Sequence, residues 1–350
     1  MALTKSEDEL NKVLEALGSL EDNEISIPNF GIVARIIENL LELKKFKHFL
    51  VFPSLLFYNL HTIDLLQCRD QLNQLQSKEE GGFSSAVGEI PDSINSYFCI
   101  NILAILDTEE AFKLINKPLM FKFLSSLRIG DGSFLSNRIG DIDLRCIYCA
   151  LVIAKILDLP DQDILFENTV QYILKCQSFS GGFSSNPGSE VHSGYTYCAV
   201  ASLVMLDSLD KCDITSLRNW VLKRSRTIEG AFTGRAGKSF CTCYTLYVGS
   251  IIKIINNFMN RKNQSEEDKI LMYFDEEKLI KCLRGSFDHP SCNFGKNPLF
   301  KGDIYHTCYT LGGISVLGVK SMLESQLYYD NSPIFNIRQE RLEKIYEYFN

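Results

Sequence analysis

The chain has 350 residues, 45% of them hydrophobic, and a formal net charge of −7 at neutral pH. This composition is typical of a globular protein with a large core and excludes a largely disordered chain. The acidic balance also argues against a general nucleic-acid-binding surface, because phosphate binding requires a basic footprint.

The first residues, Met1 to Asp8, lack the apolar segment of a signal peptide, and the apolar runs of the chain are too short to span a bilayer. In such a chain the twelve cysteines are expected to be mostly reduced thiols rather than a disulfide framework. We therefore expect a soluble cytoplasmic protein that is neither nucleic-acid-binding nor integral to a membrane.

A Gly-x-Phe sequence recurs along the chain, with its phenylalanines 51, 49, 49 and 55 residues apart. The five copies are Gly81-Gly82-Phe83, Gly132-Ser133-Phe134, Gly181-Gly182-Phe183, Gly230-Ala231-Phe232 and Gly285-Ser286-Phe287. A period of this size indicates stacked copies of one supersecondary unit, none of which buries its apolar face alone.

Each copy is followed by an apolar segment with helical character. These predicted helices cover residues 96–106, 145–157, 195–206, 243–255 and 306–317. Another helix precedes each copy, as in residues 168–176, where apolar residues recur near i, i+3 and i+4. The unit is therefore helix, glycine-rich turn, helix, since glycine ends a helix in a left-handed conformation without a Cβ clash.

Strand patterns are scarce, so the predicted fold class is all-α. Five clear units and a degenerate sixth in the first 75 residues predict an α/α barrel, or toroid, of about six helical hairpins. Tyrosines near the start of the second helices favour a closed ring over an open solenoid, because they would line a central cavity. These are Tyr97, Tyr148, Tyr197, Tyr244 and Tyr309.

No domain boundary is evident, so residues 1–350 are expected to form one domain. Within it we expect a helical N-terminal extension over residues 1–45, barrel repeats over 46–320 and a C-terminal extension over 321–350.

Cys241 and Cys243 are two residues apart where a turn enters a helix, and His306 has a related position one repeat later. Two thiolates and an imidazole form a three-ligand set for zinc that leaves a fourth position for an incoming ligand. The alternative is structural, because a buried cysteine is more often a small hydrophobe than a ligand. Spacing alone leaves both interpretations open.

A cationic group follows the third and fourth Gly-x-Phe copies, each just ahead of a predicted cavity-lining helix. His192, Arg235 and Lys238, together with Tyr244, offer donors to a diphosphate near helix N-termini, where anions are favoured. The alternative is a set of solvated loop charges. The repeat favours the shared site, because it brings successive turns to one rim of the ring.

Asp141, Asp143 and Arg145 form a third cluster at the start of a predicted helix. Asp143 fits a helix N-cap with Arg145 paired across the turn, and it fits a functional site equally well. Both interpretations stay open.

Several passages together resemble the β subunits of the protein prenyltransferases, from about Gly81 to Leu317. That family builds an α/α barrel and attaches isoprenoids to C-terminal cysteines of proteins. The passages are residues 131–134 with 140–150, 181–183 with 187–199, 234–238 with 241–244, 288–290, and Asp303-Ile304-Tyr305-His306-Thr307-Cys308-Tyr309.

The resemblance implies that Cys243 and His306 bind zinc, and that the diphosphate of an isoprenoid substrate is held by His192, Arg235, Lys238 and Tyr244. It implies direct roles in the reaction for Cys243, His306, Tyr244 and Lys238. The zinc would bind the substrate cysteine as a thiolate, which displaces diphosphate from C1 of the isoprenoid. The residues implied to line the isoprenoid and peptide pocket are Ser54, Tyr97, Arg145, Tyr148, Tyr195, Cys198, Tyr247, Tyr305 and Tyr309.

The chain departs from the family at two positions. Cys241 stands where the family has an aspartate that binds zinc, and Tyr247 replaces a tryptophan. A thiolate can replace a carboxylate on zinc, so Cys241 is expected to be the third ligand of a softer site. The alternative is that the metal is lost and the barrel serves as a non-catalytic scaffold.

The resemblance also implies a heterodimer with a helical-repeat α subunit and, as substrates, proteins with a C-terminal CaaX motif such as small GTPases. Asp288 matches a magnesium-linked aspartate that is a lysine in type I geranylgeranyltransferases, so the match favours a farnesyltransferase. Ser54, where farnesyltransferases carry a bulky tryptophan, favours the longer geranylgeranyl group. We expect farnesyl transfer, with geranylgeranyl transfer as the alternative.

Overall fold

The computed structural model describes residues 5–18, 72–261, 274–291, 293–319, 322 and 330–349. The helices are α1 (Lys5–Gly18), α2 (Ser93–Leu106), α3 (Glu109–Phe112), α4 (Lys117–Leu127), α5 (Leu144–Ile156), α6 (Gln162–Leu165), α7 (Thr169–Lys175), α8 (Ser193–Met205), α9 (Ile214–Ser225), α10 (Tyr244–Arg261), α11 (Glu276–Gly285), α12 (Ile304–Leu317) and α13 (Gln339–Phe349). Two short antiparallel strands, β1 (Phe287–Asp288) and β2 (Asn293–Phe294), and a 3-10 turn at Leu209–Lys211 complete the named elements. The all-α expectation is confirmed.

Five inner helices, α2, α5, α8, α10 and α12, pack side by side in chain order and contribute nearly half of the buried hydrophobic core. They coincide with the five predicted apolar segments. Helices α2, α5 and α8 are buried along nearly their whole length, which explains why they are apolar on most faces. Helices α4, α7, α9 and α11 precede the turns and form the outer layer, as the repeat predicts.

Four turn phenylalanines are among the largest fully buried side chains: Phe83, Phe134, Phe183 and Phe232 are at most 1% exposed. The first glycine of each of these four turns lies so close to the outer helix of the next unit that a side chain would not fit. At Gly181, with φ of +102°, a Cβ would lie 2.0 Å from the Ser216 carbonyl oxygen. Glycine is required there both by the backbone conformation and by the close approach.

The fifth unit differs from the prediction, because Phe294 and not Phe287 is its turn phenylalanine. The Phe294 amide donates to the Thr307 hydroxyl thirteen residues later, at 2.8 Å, as the Phe183 amide donates to Thr196. Phe287 pairs with Phe294 across the β1–β2 hairpin. In the third unit the residue that pairs with the turn phenylalanine, Phe183, is Gln177, so Phe287 corresponds to Gln177. The assignment of Gly285-Ser286-Phe287 as the fifth copy was therefore wrong, because the hairpin lengthens this turn.

The turns place one residue at the start of every inner helix, nine positions after the phenylalanine. We call these five residues the rim: Asp92, Asp143, His192, Cys241 and Asp303. In four units the rim amide donates to the carbonyl of the turn phenylalanine at 3.0 to 3.2 Å. The amide after the rim residue bonds the next unit's turn, as in Thr242 to the Lys296 carbonyl at 2.9 Å. The N-terminal ends of the inner helices therefore lie side by side.

Ser54, the expected boundaries at residues 45 and 320, and most of the first 75 residues, where the degenerate sixth unit was predicted, lie outside the described residues. Among the helices of the described segments, none has the length and apolar character needed to cross a membrane.

Replacing Phe183 by Ala should lower the free energy of unfolding by about 3–5 kcal/mol, because it opens a cavity under a fully buried turn. Chemical denaturation of the variant and the unmodified protein measures the difference. Phe179→Ala is the matched control, since Phe179 lies four residues earlier and is fully exposed. Equal losses for the two variants would contradict the assignment of the turn phenylalanines to the core.

Candidate active site

The inner helices enclose a cavity of about 410 Å³ whose wall is largely tyrosine. Eight of the predicted pocket residues line it: Tyr97, Arg145, Tyr148, Tyr195, Cys198, Tyr247, Tyr305 and Tyr309. Five tyrosines from successive inner helices form a continuous belt, with neighbouring ring centroids 5.1 to 5.6 Å apart. Rings at this spacing make favourable tilted contacts and give the cavity an apolar, shape-defined wall.

Two cysteines and a histidine meet at the rim end of this cavity. The candidate ligand atoms of Cys241, Cys243 and His306 all lie within 4.8 Å of one another, and the two sulfur atoms are 3.0 Å apart. Both cysteines are less than 10% exposed. Cys241 is a rim residue, Cys243 directly precedes α10, and His306 is in the first turn of α12. The repeat thus brings together residues that are more than sixty positions apart.

The cluster favours a thiolate beside a protonated imidazole even without a metal. The hydrogen bond from Cys243, opposed by burial and helped by His306, lowers the pKa of Cys241 to about 5. The same bond, with burial, raises the pKa of Cys243 well above its ordinary value. One thiolate is therefore favoured between two hydrogen-bonding partners.

Asp303 orients the histidine, a role that sequence reasoning missed. Its carboxylate lies 2.6 Å from His306 Nδ1 and also accepts the His306 amide, which caps α12. Burial lowers the pKa of His306, but the bonds to Asp303 and Cys241 outweigh it and raise the value to about 9. With Nδ1 held by the carboxylate, Nε2 is left for the thiols or a metal, an arrangement common around metal-binding histidines. The Asp-x-x-His spacing at the start of a predicted helix is the sequence feature from which this contact between Asp303 and His306 could have been predicted.

The donor set fits zinc. Two thiolates and one imidazole suit a borderline-soft cation, and three protein donors leave one tetrahedral position for a further ligand. Tetrahedral coordination with Zn–S bonds of about 2.3 Å places donor atoms roughly 3.5–4 Å apart. The three donor atoms lie within 4.8 Å of one another, and the two sulfur atoms, 3.0 Å apart, would separate by less than about 1 Å to admit the ion.

His192 and Tyr244 form a second group on the same cavity. His192 caps α8, because its Nδ1 accepts the Gly194 amide at 3.0 Å, so the ring proton belongs on Nε2, 2.9 Å from the Tyr244 hydroxyl. Burial, followed by the nearby Arg235, lowers the pKa of His192 and keeps the ring neutral. The tyrosine oxygen then accepts from His192, which leaves its own proton for a ligand. Gly234 makes room for this hydroxyl, since a Cβ there would lie 2.1 Å from it.

Arg235 also lines the cavity, but Lys238 does not. The Arg235 guanidinium is half-exposed and lies 2.5 Å from the carboxylate of Glu190, an exposed partner that sequence reasoning missed. Lys238 is an exposed residue of the same turn. The structure therefore brings three of the four predicted diphosphate-binding residues together.

Asp143 is the N-cap of α5, as one interpretation of the sequence predicts, and it places Arg145 at the cavity. Asp143 caps α5 by accepting the Arg145 amide at 2.7 Å, and it holds the guanidinium at 2.6 Å. That guanidinium lies 5.8 Å from the centre of the Tyr195 ring and lines the cavity. The cap positions the arginine.

The structure does not bring Asp288 to the cavity. Its carboxylate accepts from the Ser291 hydroxyl and the Gly302 amide, and it lines a separate recess of about 430 Å³ beside the β1–β2 hairpin. The residue next to the cysteines is Lys296, two positions after the turn phenylalanine. Its carbonyl accepts the amide of Thr242, which stands between Cys241 and Cys243 in the sequence. Asp288 therefore lines a different recess from the tyrosine-walled cavity, and its predicted role as a magnesium ligand stays a prediction.

Comparison with known proteins identifies relatives along most of the chain. Residues 38–350 match the family described as the prenyltransferase alpha-alpha toroid domain. The protein farnesyltransferase subunit beta of Schizosaccharomyces pombe is 31% identical over 236 residues, which cover 67% of this chain and 61% of that protein. The geranylgeranyl transferase type-1 subunit beta of Arabidopsis thaliana is 31% identical over 235 residues, which cover 64% of this chain and 58% of that protein. The chain thus spans about 60% of the length of these two relatives.

A solved structure shares the fold. It is that of Candida albicans protein geranylgeranyltransferase-I complexed with GGPP, which superimposes with a TM-score of 0.71 at 21% identity over 100% of both chains. The expected toroid and family resemblance are confirmed.

The pKa of the His192 ring should lie below the ordinary histidine value in the folded protein, because burial and Arg235 lower it. Arg235→Gln should raise that pKa towards its ordinary value, since it removes the nearby cation and leaves the burial in place. A pH titration of histidine ring signals by NMR measures both values.

Lys238→Gln is the control for that titration, because it removes an exposed cation of the same turn that does not act on His192. An unchanged His192 pKa in Arg235→Gln would show that the two side chains do not share an anion site.

Proposed function

Because the chain belongs to the prenyltransferase alpha-alpha toroid family, we propose that it is the catalytic β subunit of a zinc-dependent protein prenyltransferase. It transfers an isoprenoid from its diphosphate to the cysteine of a C-terminal CaaX motif and forms a thioether. One observation carries the proposal: Cys243 of the thiol–imidazole cluster lines the same tyrosine-walled cavity as the His192–Tyr244–Arg235 group. The cluster is suited to a metal and the second group to an anion.

Each part of the cavity has a role in the reaction. The tyrosine belt binds the hydrocarbon chain and excludes water, while Tyr244, Arg235 and His192 hold the diphosphate. Zinc bound by Cys241, Cys243 and His306 would supply a substrate thiolate at neutral pH. The S–C1 bond forms, the C1–O bond breaks, and diphosphate leaves with the bonding electrons. Donors fixed around the leaving oxygens stabilise the charge that develops there.

Cys241 gives this chain a site with more sulfur than the aspartate-containing site of the family. Its position and lowered pKa support the role of third ligand, since a metal ligand must be deprotonated. A non-catalytic scaffold would have no need for Asp303 to orient His306 or for Gly234 to admit the Tyr244 hydroxyl. The geometry therefore favours the enzyme over the scaffold.

Farnesyl is the proposed isoprenoid, and geranylgeranyl is the alternative. The motif around Tyr305-His306-Thr307-Cys308-Tyr309 supports farnesyl, as does the relative from Schizosaccharomyces pombe. Asp288 no longer supports it, because it lies away from the cavity, and for the same reason magnesium is not part of the proposal. The Arabidopsis relative keeps the alternative open.

The proposed enzyme works as a heterodimer with an α subunit, on CaaX proteins such as small GTPases, in the cytoplasm. All ten cysteines among the described residues are free, which is consistent with a reducing compartment.

The test is transfer from farnesyl and geranylgeranyl diphosphates to CaaX peptides by the chain co-expressed with an α subunit, with zinc measured on the same sample. We expect one zinc per heterodimer and transfer from one donor in preference to the other. Cys243→Ala should abolish both, whereas Cys176→Ala, which removes a buried thiol of the outer layer, should change neither. Neither zinc nor transfer in the unmodified heterodimer would overturn the proposal.

Cys241→Asp isolates the third ligand. With cobalt(II) in place of zinc, the thiolate-to-metal absorption should fall by about half, because one of two protein thiolates is replaced by a carboxylate. Transfer should persist, since a carboxylate also binds zinc. An unchanged absorption would show that Cys241 does not bind the metal.

A further inference from the structure

A loop near the C-terminus closes the end of the barrel that lies opposite the rim. We call residues 330–339 the floor loop. Its two arms are joined by backbone bonds from Ser332 to Ile337 at 2.9 Å and from Gln339 to Asp330 at 3.0 Å. The Ser332 hydroxyl accepts the amides of Ile334 and Phe335, both at 3.3 Å, so the tip of the loop has a fixed shape.

Helix α13 holds the floor loop against the C-terminal ends of the inner helices. Asp107, which caps the C-terminal end of α2, is bound by Arg341 and, at 2.7 Å, by Lys344. The Lys117 ammonium donates to the Phe349 carbonyl at 3.2 Å. These contacts attach α13 to Asp107 at the end of α2 and to Lys117 at the start of α4, and they fix the floor loop, which directly precedes α13, to the barrel.

Two tyrosines of the belt bond the tip of the loop. The hydroxyls of Tyr148 and Tyr197 lie 2.8 and 2.9 Å from the Ile334 carbonyl oxygen, and they lie 3.0 Å from each other. Burial raises the pKa of both tyrosines, so both hydroxyls keep the proton that they donate. The carbonyl is thereby satisfied, and a hydrocarbon chain that reaches the floor meets no orphaned acceptor.

Asn336 lines the cavity from the same loop. Its backbone is left-handed, with φ of +54°, and its side-chain oxygen accepts a hydrogen bond from the side-chain amide of Asn331 at 2.9 Å. Gly312 of α12 makes room for it, because a Cβ there would lie 2.9 Å from that oxygen. An inner-wall glycine and a floor asparagine thus fit together.

We propose that the tip of the floor loop, whose Asn336 lines the cavity, sets the longest isoprenoid that the cavity accepts. This inference rests on the proposed function. The diphosphate is fixed at the rim by Tyr244 and Arg235, and the floor is fixed by the anchored loop, so the chain must fit between them. Overpacking a rigid cavity is unfavourable, and one methylene in a hydrophobic pocket changes discrimination about 10–200-fold.

The test is Asn336→Gly in the heterodimer, assayed with geranyl, farnesyl, geranylgeranyl and geranylfarnesyl diphosphates. Glycine accepts the left-handed backbone, so the variant removes floor volume without adding backbone strain. The kcat/KM for the donor one isoprene unit longer than the preferred one should rise at least about tenfold relative to the preferred donor. Asn168→Gly is the matched control, because Asn168 has the same backbone conformation, with φ of +66°, in the exposed turn before α7.

A second variant tests the floor by another route. Tyr148→Phe combined with Tyr197→Phe keeps both rings and removes both donors to Ile334. Hydrogen exchange of the amides at 333–336 should accelerate, and donor preference should shift towards the longer chain. Tyr172→Phe is the control, since it removes a hydroxyl bonded to Asn186 in the outer layer.

Calorimetric binding of the four diphosphates separates this inference from the proposed function. Binding without transfer would overturn the proposed function, and the order of affinities would then decide the role of the floor. An unchanged order of donors in Asn336→Gly would overturn the inference, and absence of binding to any donor would overturn both.

Discussion

The structure depends on one repeated constraint, the buried turn phenylalanine, whose carbonyl in four of the five described units accepts the amide of the rim residue nine positions later. In the remaining unit, the amide of Leu144, which follows the rim residue Asp143, donates to the Ser185 carbonyl of the next turn. The phenylalanine fixes the turn against the outer layer, and the backbone bond fixes where the inner helix begins. Every inner helix therefore starts at the same level, and the residues of its first turn face the same end of the cavity. Residues far apart in sequence, such as Cys241 and His306, become neighbours without any special device.

The repeat made much of this predictable from sequence. The period predicted the helical hairpins, and the tyrosines predicted the cavity wall. The spacing of Cys241 and Cys243 left the metal cluster open, and the family resemblance implied it. The prediction from the repeat failed where the length of a turn varies. The β1–β2 hairpin lengthens the fifth turn, so its turn phenylalanine is Phe294 rather than Phe287, and Asp288 does not line the cavity. Period counting assumes equal turns, whereas the hydrogen bond from Phe294 to Thr307 reveals the true register.

Other features had no local signal. Tyr148 bonds Ile334 across 186 residues, and nothing near either residue predicts that contact. Lys238 was grouped with Arg235 because both are cations on one turn, yet only Arg235 points into the cavity. Over so few residues the direction of a side chain depends on the turn backbone, which sequence pattern does not specify.

The rim shows how one structural position acquires several chemical tasks. Asp143, His192 and Asp303 each accept an amide at the start of their helix, a bond typically worth about 1 kcal/mol to the helix. Each also orients a neighbour, namely Arg145, Tyr244 and His306. Since the cap and the orienting contact come from the same side chain, the helix start and the site geometry are set together. A rim residue that caps its helix therefore cannot be changed for function without also changing the stability of the wall that holds it, and the precision of the site comes directly from the folding of the repeat.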